Sequence, residues 1–114
     1  MRYVSTGADH NAMSYSVAKK IGLDEYIDKT YSAKIIGIGT GKMIGCIPII
    51  DFTLGDLLVS SNFSIIDDSE SKSGCTGFIL LGMPFMMFYA MSLDFAKSKI
   101  ITKDHMIDIK IREK

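Results

Sequence analysis

The side chains that could take part in chemistry are few, and three of them lie together near the start of the chain. Ser5 is followed by Asp9 and His10, which places a hydroxyl close in sequence to a carboxylate and an imidazole. A serine nucleophile needs a base held at hydrogen-bonding distance, and closeness in sequence does not provide that geometry. The other histidine, His105, stands alone, and two separated histidines without cysteines at ligand spacing do not form a zinc motif. The sequence therefore predicts no serine hydrolase, no metal site and no cofactor.

The three polar residues Asp9, His10 and Asn11 have a simpler interpretation. Asp9 lies four residues after Ser5, beyond a tight turn at Gly7, so we do not expect it to act as a displaced catalytic acid. We expect all three residues to be exposed and to lead into the first helix.

Two short helices are indicated. Ser14 is a good N-cap, apolar residues recur at helical spacing between 17 and 21, and Gly22 suits the position just after a helix. Pro84 suits the first turn of a second helix that runs to about Tyr89.

The segment from 35 to 45 is apolar but contains Gly37, Gly39, Gly41 and Gly45, a pattern typical of a glycine-tipped hairpin. Alternating glycines could also form a phosphate cradle. A cradle of that kind opens a helix, whereas this segment continues into the apolar run at 46–50, so a nucleotide site is not expected.

The remaining apolar segments are typical of strands. Residues 57–66 read as one strand, and residues 67–77 read as an exposed loop because they are rich in serine, aspartate, lysine and glycine. Ile107, Ile109 and Ile111 alternate with charged residues, the pattern of a half-buried strand. The sequence as a whole predicts a mainly β fold with two short helices and a closed, barrel-like sheet.

The composition is that of one small domain covering residues 1–114. The hydrophobic fraction of 47% excludes a disordered chain, and the balance of 13 basic and 13 acidic residues gives no sign of a nucleic-acid binder. Two cysteines are too few for a disulfide scaffold, and the N-terminus does not read as a signal peptide, so we expect a cytoplasmic protein. The uncharged run 78–93 is shorter than a membrane span and contains a glycine and a proline, so we expect it in the core.

A resemblance covers most of the chain, from about Val4 to Ile101. The segment 4–8, which reads Val-Ser-Thr-Gly-Ala, resembles the active-site loop of retroviral-type aspartic proteases, in which an aspartate precedes the Thr-Gly pair. The segments that follow in order resemble the retropepsin-like domain of the DNA-damage-inducible, ubiquitin-shuttling protein family; they are 18–23, 26–29, 37–45, 62–67 and 79–83. The glycine hairpin then corresponds to the flap of that family.

The resemblance implies a dimeric acid-protease fold without its chemistry, because Ser5 stands where the catalytic aspartate belongs. An aspartic protease needs two carboxylates that share one proton, and a serine hydroxyl cannot replace either of them. The degenerate loop comprises Ser5, Thr6, Gly7 and Ala8. The implied flap and peptide-binding residues are Ile36, Gly37, Ile38, Gly39, Thr40 and Gly41. The implied dimer interface comprises Thr6, Ile107, Ile109 and Ile111. The expected partners are a second copy of the chain and an extended peptide or protein segment.

Two departures from the family pattern and two alternatives accompany this reading. Four residues precede Ser5 where the family has a strand hairpin, so the resemblance predicts a truncated N-terminal strand. The late signature at 82–86 is closer to the form found in retrotransposon proteases.

The chain could instead be an accessory subunit that docks on a large assembly, such as a proteasome or a ribosome, through its outer surface. Ser5 could also be an engineered change in an active protease.

Overall fold

The computed structural model describes residues 2–5, 7–30, 42–69, 77–102 and 105–112 of the chain. Strands and two short helices account for most of these residues. The strands are β1 (Arg2–Ser5), β2 (Ala12–Ser14), β3 (Lys42–Leu54), β4 (Leu57–Asp67), β5 (Ile79–Leu81), β6 (Ser92–Asp94), β7 (Lys99–Thr102), β8 (His105–Asp108) and β9 (Lys110–Arg112). The helices are α1 (Tyr15–Lys20) and α2 (Met83–Phe88), with a 3₁₀ turn at Asp24–Tyr26. The predicted mainly β class with two short helices is confirmed.

The strands form one sheet of six and one of three. The larger sheet has the order β3-β4-β2-β5-β1-β9, and the smaller has the order β6-β7-β8. Strand β1 lies between β5 and β9 and is parallel to both. The pairings among the described residues leave β3 and β9 at the two edges of the larger sheet. Within the described residues, neither helix is long and apolar enough to cross a membrane.

The long hairpin of β3 and β4 confirms that residues 57–66 belong to one strand. It is antiparallel, with shifts of register between Met43 and Gly45 and between Ile47 and Ile50. The second shift spans Pro48, whose missing N–H cannot take part in the ladder of hydrogen bonds. An apolar segment interrupted by proline therefore continues as a strand by means of a bulge.

Helix α1 starts and ends where the sequence predicts, but it is capped differently. At its end, Gly22 has a φ of +79°, and the N–H of Leu23 donates to the carbonyl of Ala18 at 2.8 Å, which closes a Schellman motif. At its start, the Ser14 hydroxyl makes no cap bond to the helix backbone and instead accepts from the N–H of Phe78 at 2.9 Å.

A carboxylate from the far end of β4 supplies the cap of α1. The backbone N–H of Ser16 donates to Asp68 at 3.2 Å, and the Ser16 hydroxyl donates to the same carboxylate. Asp68 is only 8% exposed, so the expectation of an exposed loop at 67–77 is wrong at this residue. Asp67 belongs to β4, and residues 70–76 lie outside the described residues.

Helix α2 contains Pro84 in its first turn, as predicted. It ends with the same pattern of bonds as α1: the N–H of Ala90 donates to Met87, and the N–H of Met91 donates to Met86 at 2.9 Å. Ala90 occupies the left-handed position with a φ of 51°, where a glycine would carry no steric cost.

The main core lies between the sheets and includes two of the three isoleucines near the end of the chain. Ile107 is 3% exposed and Ile109 is 7% exposed, and both pack within the main cluster of their own chain. The predicted continuous, half-buried strand is therefore two strands, β8 and β9, which belong to different sheets. The prediction that Ile107 and Ile109 form a dimer interface is not compatible with this burial. The side chain of Ile111 lies outside the described residues.

Candidate functional site

The loop that follows β1 is the candidate site. Strand β1 carries Val4, which is fully buried, and then Ser5, after which the chain turns at Gly7. The N–H of Ala8 points back to the carbonyl of Ser5 at 3.4 Å, which closes the turn. Thr6 lies outside the described residues. The turn places residue 5 at the carboxyl end of β1, between its neighbours β5 and β9.

The side chain of Ser5 is buried. The residue is 1% exposed, and its hydroxyl oxygen has no hydrogen-bond partner among the described residues. A buried hydroxyl without a partner loses its bonds to water and gains none in exchange, which costs free energy. In this arrangement the hydroxyl reaches neither solvent nor a base, so the proposal of a Ser5–His10 nucleophile has no geometric support.

The far side of the loop is anchored to the turn between β5 and α2. The N–H of Gly82 donates to the Asn11 side chain at 2.8 Å, and the N–H of Met83 donates to the carbonyl of Ala8 at 3.0 Å. The second end of the Asn11 amide donates to the Ser61 hydroxyl at 2.8 Å. Asn11 is 5% exposed, so the expectation that it is an exposed polar residue is wrong.

Gly82 permits this close contact because it has no side chain. A Cβ atom at this position would lie 2.7 Å from the carbonyl oxygen of His10 and 3.0 Å from that of Ala8. Contacts this short with backbone atoms would push the loop away. The anchoring roles of Asn11 and Gly82 were not predicted from the sequence. The Gly82-Met83 signature was the available signal, but its partner Asn11 is distant in sequence.

A second, smaller group of buried apolar residues lies behind the loop. We call it the second cluster; it comprises Ala8, Ala12, Ile66 and Leu80, with Tyr3, Met43 and Phe78 packed against it. Met43 comes two residues after Gly41 and belongs to β3, so the start of that strand contributes to this cluster. The flap residues Ile36, Gly37, Ile38, Gly39, Thr40 and Gly41 lie outside the described residues.

The next two residues, Asp9 and His10, are exposed, as predicted. They line a groove of about 430 Å³ that shares no residue with the second cluster. No group of three or more metal-ligating side chains occurs in the part of the chain that the structure describes.

A comparison with solved structures defines the class of fold. The chain is similar to the retroviral protease-like domain of Ddi1 from Leishmania major, with a TM-score of 0.73 and 18% sequence identity. The match covers 94% of this chain and 81% of that domain. The fold is therefore that of a retroviral-type protease, as the sequence predicted.

The sequence comparison gives the family. The model of the Aspartyl protease family matches residues 1–94, and the chain belongs to that family. It is 29% identical over 98 residues to DNA damage-inducible protein 1 of Chaetomium globosum, a match that covers 86% of this chain and 21% of that protein. It is 37% identical over 65 residues to the protein of the same name in Saccharomyces cerevisiae, covering 57% of this chain and 15% of that protein.

A third relative carries a different name. The chain is 26% identical over 92 residues to the UBA domain-containing protein Mud1 of Schizosaccharomyces pombe. This match covers 81% of this chain and 26% of that protein. The chain thus spans about a quarter or less of the length of these curated relatives. The predicted resemblance to the DNA-damage-inducible family is confirmed at the level of this one domain.

Proposed function

We propose that the chain is a catalytically inactive member of its family that acts by binding. The observation that carries this proposal is the identity of residue 5. We align Ser5 with the aspartate of the family's active-site loop, so a dimer would contain two hydroxyls in place of two carboxylates. A hydroxyl cannot share a proton at ordinary pH as a pair of carboxylates does, and the activation of water is then lost.

The burial of Ser5 supports the same conclusion. Its side chain is 1% exposed and faces no described hydrogen-bond partner, which leaves no route for it to contact a substrate. Asp9 is the first carboxylate after the loop. It is exposed on the groove of about 430 Å³, whose lining residues are not members of the second cluster. No other described residue of the loop carries an ionisable side chain suited to the missing role.

The proposed ligand is an extended peptide or protein segment, bound as an added strand beneath the glycine hairpin. Main-chain hydrogen bonds give such complexes their affinity, and pockets for alternate side chains give them specificity. Tyr3, Met43 and Phe78, the partly buried residues of the second cluster, would supply an apolar wall. Neither the bonds nor the wall requires a catalytic carboxylate.

The proposed active form is a homodimer, with Thr6 at the two-fold axis. Burial of Ile107 and Ile109 removes them from the interface, and strand β9 remains as the candidate contact. It pairs with β1 on one side and is an edge of the larger sheet in the described residues. An unpaired edge is a ready template for a strand of a second copy. Sedimentation at tens of micromolar should show a dimer, and a monomer at that concentration would remove the shared cleft.

The test of inactivity is a cleavage assay. The purified protein should leave an unfolded protein and a peptide library intact between pH 3 and about pH 8, a range that spans ordinary carboxyl titration. The variants Ser5→Ala and Asp9→Asn should be equally inactive. Cleavage that an aspartic-protease inhibitor abolishes would overturn the proposal, and loss of that cleavage in Asp9→Asn alone would identify the displaced acid.

The two alternatives make different predictions. If Ser5 replaces an aspartate of an otherwise intact protease, Ser5→Asp should restore inhibitor-sensitive cleavage at acid pH. If the chain docks on a proteasome or a ribosome through its outer surface, those particles should co-purify equally with the natural chain and with Ile38→Glu, which places a charge in the implied flap. Our proposal predicts that Ile38→Glu loses the bound peptide segment while remaining folded by circular dichroism.

A further inference from the structure

A groove borders the segment that follows the Ser5 loop. We call it the outer groove; it is lined by Asp9, His10, Asn11, Pro48, Ser60, Ser61, Asn62, Pro84, Phe85, Phe88 and Tyr89. Its volume of about 430 Å³ is in the range of sites that bind small ligands or single peptide side chains with their backbone. None of these residues belongs to the second cluster, although Asp9 and Asn11 are the chain neighbours of its members Ala8 and Ala12.

The floor of the outer groove is fixed by internal bonds. The Tyr89 hydroxyl accepts from the N–H of Ser60 at 2.8 Å and donates to the carbonyl of the same residue at 3.1 Å. The Asn11 amide is held by Gly82 and Ser61, both at 2.8 Å. A groove whose polar groups are already bonded needs little reordering when a ligand enters, and this preorganisation favours binding.

One wall of the groove is aromatic. The rings of Phe85 and Tyr89 lie 5.0 Å apart, and Phe88 contacts Tyr89 edge to face at the same centroid distance. Phe88 is nevertheless 81% exposed. An exposed ring that is held in place by a neighbouring ring offers a surface on which a flat group can stack.

The groove carries one carboxylate. Asp9 is exposed on its wall beside the imidazole of His10, and no lysine or arginine lines it among the described residues. A second carboxylate, Asp51, accepts a hydrogen bond from the Ser60 hydroxyl at the groove's edge. The field within the groove therefore favours a cation over an anion or a neutral group.

We propose that the outer groove binds an arginine side chain of an extended peptide. A guanidinium is flat, always charged and forked, so it can stack on Phe88 while it donates to the Asp9 carboxylate. Lysine offers a point charge without the flat face and should bind more weakly. The groove would act as a recognition site beside the cleft, and the proposal does not depend on the cleft being occupied or on the loss of catalysis.

The test compares two peptides that differ by one atom. One is a seven-residue peptide of glycine and serine with a single central arginine, and the other has citrulline, the uncharged analogue, at that position. Titration into the full chain at 50 mM salt, followed by amide NMR, should give shifts centred on residues 60–62 and 84–89. The arginine peptide should bind at least fivefold more tightly than the citrulline peptide, because only it carries charge.

Matched variants assign the binding to the groove. Asp9→Asn keeps the size of the side chain and should reduce affinity for the arginine peptide about fivefold or more, whereas the exposed Asp56→Asn at the β3–β4 turn should leave it unchanged. Phe88→Leu should reduce affinity about two- to fivefold, the value of a partly exposed cation–π contact. Equal binding of the two peptides, equal effects of the two aspartate variants, or shifts confined to the second cluster would each overturn the proposal, as would stronger binding of an acidic peptide.

Discussion

Replacement of the buried Asn11 should lower the stability of the fold. Its Oδ1 atom accepts from the buried N–H of Gly82 at 2.8 Å, and its Nδ2 atom donates to Ser61 at 2.8 Å. Asn11→Ala leaves the Gly82 N–H without a partner, which costs about 1–3 kcal/mol. Ser61 is only partly buried and can bond to water, so its loss adds little. We expect a total loss of about 2–3 kcal/mol in the free energy of unfolding.

Urea unfolding at a fixed protein concentration measures this loss, because an oligomer would otherwise change its apparent stability with dilution. The thermal midpoint should fall by about 10 °C. Asn62→Ala is the matched control, since Asn62 is exposed nearby and should change the free energy by less than about 0.5 kcal/mol. If Asn11→Ala is as stable as Asn62→Ala, the Gly82 bond does not anchor the loop and the reasoning fails.

Two further predictions concern helix ends and a carboxylate. Gly22 and Ala90 occupy equivalent left-handed positions after α1 and α2, so Gly22→Ala should destabilise by about 1 kcal/mol and Ala90→Gly should stabilise by about 0.5 kcal/mol in urea unfolding. Changes of the same sign would contradict this account. Hydrogen bonds from the Thr30 hydroxyl and, second, from its backbone N–H lower the pKa of Asp28 below 3.8. The charged carboxylate therefore stabilises the folded state, and this contribution is lost as the pH falls through the folded pKa. Thr30→Ala should raise that pKa in an NMR titration, and an unchanged value would be inconsistent with the bond.

The parts of the fold that were predictable from the sequence are those set by local chemistry. Gly22 ends α1 because Gly22 itself adopts the left-handed conformation that follows the helix. Pro84 lies in the first turn of α2, which its ring suits. The strand at 57–66 was predictable because strong β-formers recur along it. Each of these signals is contained within a few neighbouring residues.

The parts that were not predictable depend on contacts between distant residues. Asp68 reads as a loop residue, yet it caps α1 from 52 positions away and is buried by that contact. Asn11 reads as an exposed polar residue, yet it bonds to Gly82, 71 positions away. The alternation at 107–111 fits one strand, but the chain crosses between sheets at Ile109, whose N–H bonds to Ser98. No local pattern specifies such partners.

The way in which the loop is held explains how a carboxylate could be lost without loss of the fold. The described bonds that fix the loop use the carbonyls of Ser5 and Ala8, the side chain of Asn11 and the N–H groups of Gly82 and Met83. None of them uses the side chain of residue 5. Its hydroxyl has no described partner, so a change of this residue removes no structural bond. In the proposed dimer, two aspartates at the axis would also repel each other, and serine at this position would relieve that repulsion. Selection on the fold alone would therefore tolerate Ser5, and only selection for cleavage would oppose it.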